Sequence, residues 1–142
     1  MSIQSDQLKH RTMQFALDVL RLIDAFPRSA SGDLLGRQLA KSATSVAANY
    51  RATCVARSRA EFIAKLGLVF EETDESEFWL DVALRKDLGD KQAADALRQE
   101  AIELRAIFGR SLGTARKNAT TLKSSNPQIP KSPKILNNQI TK

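Results

Sequence analysis

The stretch from Ser58 to Lys86, SRAEFIAKLGLVFEETDESEFWLDVALRK, decides the fold. It opens on Ser58-Arg59-Ala60-Glu61, a capping box in which the serine oxygen takes one free backbone amide and the glutamate reaches back to another. Phe62, Leu66, Val69, Thr73, Ser76, Leu80 and Ala83 then follow at alternating spacings of four and three, which puts them on one side of a helix ending near Lys86. Phe78, Trp79 and Leu80 are consecutive, so they span about 200 degrees of helix surface and cannot all face one core. With Val82 and Leu68 also off the seam, the simplest expectation is a second buried face. Phe78, Trp79 and Val82 are therefore predicted to meet another subunit, the alternative being an aromatic edge covered by the first helix.

On the N-terminal side, Leu35, Leu39, Ser42, Val46, Asn49 and Thr53 repeat the same spacing and predict a helix from about Leu34 to Cys54, with Asp33 as its cap. Before it, Leu8, Met13, Phe15, Val19, Leu22, Ile23 and Phe26 keep mostly to one side of a helix from about Asp6 to Phe26, stopped by Pro27. After Gly89-Asp90, a stop and a new cap, Leu97, Ala101, Leu104, Phe108, Ser111 and Ala115 mark a fourth helix that fades near Leu122. Four helices joined by short turns predict an all-α, antiparallel up-down bundle over residues 1–122. Residues 123–142 hold three prolines, four lysines and no helical period, and read as a disordered basic tail.

With 142 residues, the chain has enough for one domain of ordinary size. Its formal net charge is +6, but Lys123, Lys131, Lys134 and Lys142 supply four of those charges, so the bundle itself holds +2. Any polyanion site must then come from local clustering. The second helix offers such a cluster: Arg37, Lys41, Thr44, Ala48 and Arg51 form a stripe opposite its seam, and Arg57 and Arg59 extend the positive charge past the turn. Between Arg59 and Leu88 eight acids face four bases, so charge is segregated by helix. The stripe therefore reads either as a nucleic-acid site or as charges that pair with the acidic helix of a neighbouring subunit or are merely solvated.

Polar residues fall on or beside the seams at Ser42, Ser45 and Asn49 on the second helix and at Thr73 and Ser76 on the third. Buried polar groups must find partners. If these five meet each other they form a buried layer that selects one helix register, and a functional pocket is the alternative. Gly109 and Gly113 on the fourth helix make a smooth notch that suits close helix approach between subunits, or else mark a fraying end.

No catalytic constellation is present in the sequence. The acids Glu71, Asp74 and Glu75 share a helix face, but the one histidine, His10, stands in no Glu-x-x-His pair. Cys54 has no base implied beside it, and Gly109 and Gly113 lack the Lys-Ser or Lys-Thr of a phosphate loop. We expect no enzyme activity, no metal and no cofactor. One cysteine fits a reducing compartment, and no apolar run approaches the roughly 18 residues of a membrane span. The expectation is a soluble cytoplasmic protein with no membrane partner.

The run Gln38-Leu39-Ala40-Lys41-Ser42-Ala43-Thr44-Ser45-Val46-Ala47-Ala48-Asn49-Tyr50-Arg51, with Ala56 to Leu66 and Glu72 to Leu80, resembles the four helix bundle proteins named after 23S rRNA intervening sequences. The similarity spans about residues 8–112. It implies a bundle commonly assembled as a ring of five, with no established enzymatic activity. A related protein, the accessory variability determinant of diversity-generating retroelements, is a basic pentameric barrel that binds nucleic acid and a reverse transcriptase. By that resemblance the partners expected here are further copies of the chain, RNA or single-stranded DNA, or another protein.

Overall fold

The computed structural model describes residues 2–124; Lys123 and Ser124, placed in the predicted tail, continue the last helix, and the rest of that tail, from residue 125 onward, lies outside the described residues. Four helices occupy the described chain: α1 (Ile3–Asp24), α2 (Ala30–Cys54), α3 (Arg59–Arg85) and α4 (Lys91–Ser124). Each begins on a short polar side chain that accepts from a free amide of the first turn. Ser2 takes Ser5 N–H, Ser29 takes Gly32 N–H, Ser58 takes Glu61 N–H and Asp90 takes Ala93 N–H, all at 3.0–3.1 Å.

Two of these caps differ from the expected ones. Helix α1 starts at Ser2 rather than near Asp6, and α2 starts at Ser29, four residues before Asp33. Gly32 explains the second difference: a Cβ there would stand 2.5 Å from Pro27 O, so this glycine lets α2's first turn tuck against the incoming chain. The stop after α3 also moves. Asp87 takes the left-handed conformation (φ 59), and Leu88 N–H donates to Ala83 O at 2.9 Å, which closes a Schellman-type end two residues before Gly89. Gly89 itself has φ 71 and lies against the Phe26 ring.

The helices run antiparallel because contacts step down one as they step up the next: Arg98 meets Asp81, Arg105 meets Asp74 and Gly109 meets Phe70. Helix α2 packs broadly on α3, α3 on α4 and α1 on α2, while α1 and α4 touch over a small area. Arg11 ties that thin seam by reaching both Glu100 and Glu103, and these carboxylates raise the arginine pKa. The core runs through Phe15, Val19, Leu39, Val46, Leu66, Val69, Leu80, Leu104 and Phe108, as the seams require. On α4 the stripe drifts, so that Leu112 is buried where Ser111 was expected. On α1, Thr12 takes the core place that the sequence reading gave to Met13, and Met13 is exposed.

The polar layer is smaller than predicted. Ser42, Thr73 and Ser76 are buried, and Ser76 Oγ lies 3.0 Å from Ser42 Oγ across the α2–α3 interface. Ser45 and Asn49 are only half-buried, and Asn49 Nδ2 donates to Ser45 O at 2.9 Å on its own helix. Thr73 likewise bonds its own helix, at Val69 O, 2.6 Å away. One hydroxyl pair, rather than five mutually bonded residues, links the two helices.

Candidate nucleic-acid interface

Helix α2 presents Arg37, Lys41, Thr44, Ala48 and Arg51 to the outside, and all five are exposed. They face outward because Leu39, Ala43, Val46 and Tyr50 hold the opposite side of the helix in the core. Arg37 borders a groove floored by Ile23, Phe26 and Gly36, and Arg51 borders another beside Asp6, His10 and Met13 of α1. The charge of Lys41 acts on Glu72 of α3. That carboxyl has a raised pKa because it is partly desolvated by burial and stands near Glu75, with Lys41 pulling weakly the other way.

Among the described residues, Arg37, Lys41, Arg51 and Arg59 make no ion pair within 4 Å. Three acids of α3 are met instead by α4: Arg105 reaches Asp74 at 2.7 Å and also Glu77, while Arg98 approaches Asp81, which Arg85 of α3 also holds, at 3.9 Å. These three acids are thus paired without drawing on the cations of α2. Arg57 is the partial exception. Its backbone N–H donates to Glu61 Oε2 at 2.7 Å, and its guanidinium stands 4.0 Å from the same carboxylate. That backbone bond, with Lys65 alongside, holds Glu61 below the usual carboxylate range.

The sequence reading missed further cations. After Glu103, α4 carries Arg105, Arg110, Arg116, Lys117 and Lys123 and no acid. The fold places Arg110 beside Ser58 and Arg59 of the α2–α3 turn, around an exposed Phe62. The missing signal was the acid-free run itself, which helix-by-helix counting confined to α3 overlooks.

The candidate subunit-contact residues scatter. Trp79 is half-buried within the chain itself, packed with Val82 against Leu35, Ala83 and Leu88, and its indole N–H donates to Glu75 at 3.2 Å. Phe78 stacks edge-on to Trp79 and stays 56% exposed. The notch at Gly109 is filled within the chain, where a Cβ would come 3.2 Å from the Phe70 ring, and Gly113 faces open space. Met13, Leu17 and Leu20 form a second exposed apolar stripe on α1 that the sequence reading did not single out. His10 is exposed and Cys54 is a half-buried free thiol near Tyr50, whose phenol pKa is raised chiefly by burial. Among the described residues no group of three or more His, Cys, Asp or Glu side chains is placed to hold a metal, and no helix is long and apolar enough to cross a membrane.

Fold and surface together define a small all-helical bundle with an exposed basic face. A family model described as 23S rRNA-intervening sequence protein matches residues 5–110, and the chain belongs to that family. Among solved structures it is similar to a protein of unknown function of the S23 ribosomal protein family from Bacteroides thetaiotaomicron. The two share a TM-score of 0.71 and 23% identity, over 78% of this chain and 99% of that one. No curated protein matches the chain.

Proposed function

We propose that this chain is a non-enzymatic, cytoplasmic bundle protein that assembles with copies of itself, five by resemblance, and binds RNA or single-stranded DNA as an accessory module. The observation that supports this reading is the α2 face. Arg37, Lys41 and Arg51 are exposed, share one side of a helix and have no acidic partner within 4 Å among the described residues. Spaced cations on a rigid helix suit a phosphate backbone, and each phosphate neutralised releases counterions.

A second reading, a protein-interaction module with no nucleic-acid binding, draws on the exposed Met13, Leu17 and Leu20 beside that face and on exposed Phe78. Fluorescence anisotropy with short RNA and DNA strands across a salt series separates the two, with light scattering on the same samples. For the first reading, log affinity falls linearly with log salt, by about 0.7 per phosphate neutralised on a single strand. Reversing Arg37, Lys41 and Arg51 to glutamate then abolishes binding at unchanged subunit number. Absence of binding by the intact protein at low salt, or dissociation of the triple variant into monomers, assigns these charges to protein contacts instead.

A further inference from the structure

Charge is also segregated along the bundle axis. At the end where α2 passes into α3, the cations Arg57, Arg59 and Lys65 meet those of α4 beyond residue 105, with Glu61 the acid of that turn. Helix α4 buries no side chain after Leu112, so its last twelve residues, roughly 18 Å of helix, project past the core carrying Arg116, Lys117 and Lys123. At the root of this projection lies a groove lined by Ser58, Arg59, Phe62, Arg110, Thr114 and Asn118. Its volume of about 680 Å³ falls in the range of small-ligand clefts, about 300 to 1,000 Å³. Phe62, 37% exposed, lines this groove together with both arginines. Neither arginine makes an ion pair within 4 Å among the described residues.

We infer that this groove is a subsite for one unpaired nucleotide of a single-stranded nucleic acid. The inference rests on the nucleic-acid reading above and deepens it. The base stacks on the Phe62 ring, Arg59 and Arg110 hold the flanking phosphates, and the Thr114 hydroxyl and Asn118 amide supply hydrogen bonds that every base or sugar can use. A stacking face selects single strands, because in a duplex both faces of each base are already covered by neighbours. The projecting end of α4 continues the positive track along which the backbone runs.

The test uses the full chain and dye-labelled 15-nucleotide RNA, as a single strand and as a duplex, at low salt. Phe62→Leu keeps apolar bulk and removes the ring, so single-strand affinity falls roughly 5- to 150-fold, the range of one base–aromatic stack, while duplex affinity is unchanged. Phe62→Tyr restores single-strand binding, and Arg59→Gln with Arg110→Gln makes the salt dependence shallower. The subsite is overturned if Phe62→Leu binds single strands as the wild type does, if it loses both forms equally, or if it changes the subunit mass, since the ring then serves folding or assembly. If the wild type binds neither form, the nucleic-acid reading itself fails. If it binds and only the α2 triple variant loses binding, that reading stands and the subsite alone is wrong.

Discussion

Replacing Ser42 and Ser76 with alanine, singly and together, measures the one polar link found in the α2–α3 interface. The two oxygens lie 3.0 Å apart, and each also has a carbonyl of its own helix in reach: Leu39 O at 3.2 Å from Ser42 and Glu72 O at 2.8 Å from Ser76. A hydroxyl has one proton to donate, so the pair bonds in one of two ways, each using one interhelical and one intrahelical bond. Removing either serine lets the other turn to its own carbonyl, and no buried group is stranded. The loss is then the interhelical bond, about 0.5–1.5 kcal/mol, and the second deletion adds little, because the hydroxyl it removes bonds only a carbonyl that its own helix's backbone already pairs. We expect both singles and the double variant to fall in that range, with a coupling of about 1 kcal/mol between the sites. Urea unfolding at constant m-value supplies the free energies. Strictly additive costs would mean that the interhelical bond does not form, and a single variant losing more than about 3 kcal/mol would mean that the remaining hydroxyl has no second partner.

Gly113→Ala meets open space, so it should stabilise the helix by about 0.5–1 kcal/mol, and a fall in mass by light scattering would instead support the predicted contact notch. Asn49→Leu should change stability by less than about 1 kcal/mol and leave one sharp oligomer peak, since Asn49 bonds only its own helix through Nδ2; a broadened mass distribution would return it to a register role. Glu72 has its folded pKa raised above the ordinary 4.5, chiefly by burial. Its contribution is therefore present below that value and lost as pH rises through the folded pKa. Glu72→Gln should accordingly raise thermal stability at neutral pH, with the gain vanishing in acid, and a pH-independent difference would show that packing is responsible.

The four helices, their seams and most of their ends were legible along the chain, because the 3.6-residue period and the capping residues act within a few neighbours. Ser58 and Asp90 were legible for that reason. Ser29 was not, because Gly32 looks like a break until its contact with Pro27 is known. The exposure of Arg37, Lys41 and Arg51 also followed from spacing alone. What the sequence left open was which charges meet, since that depends on the axial register of helices distant along the chain. Packing alone brought Asp74, Glu77 and Asp81 of α3 to Arg105 and Arg98, filled the Gly109 notch with Phe70 and left Asn49 at the edge of the interface. The basic end likewise arises only when α4 and the α2–α3 turn are packed side by side. Arg59 and Arg110 are 51 residues apart in sequence and share one groove because antiparallel packing sets α4 against the start of α3.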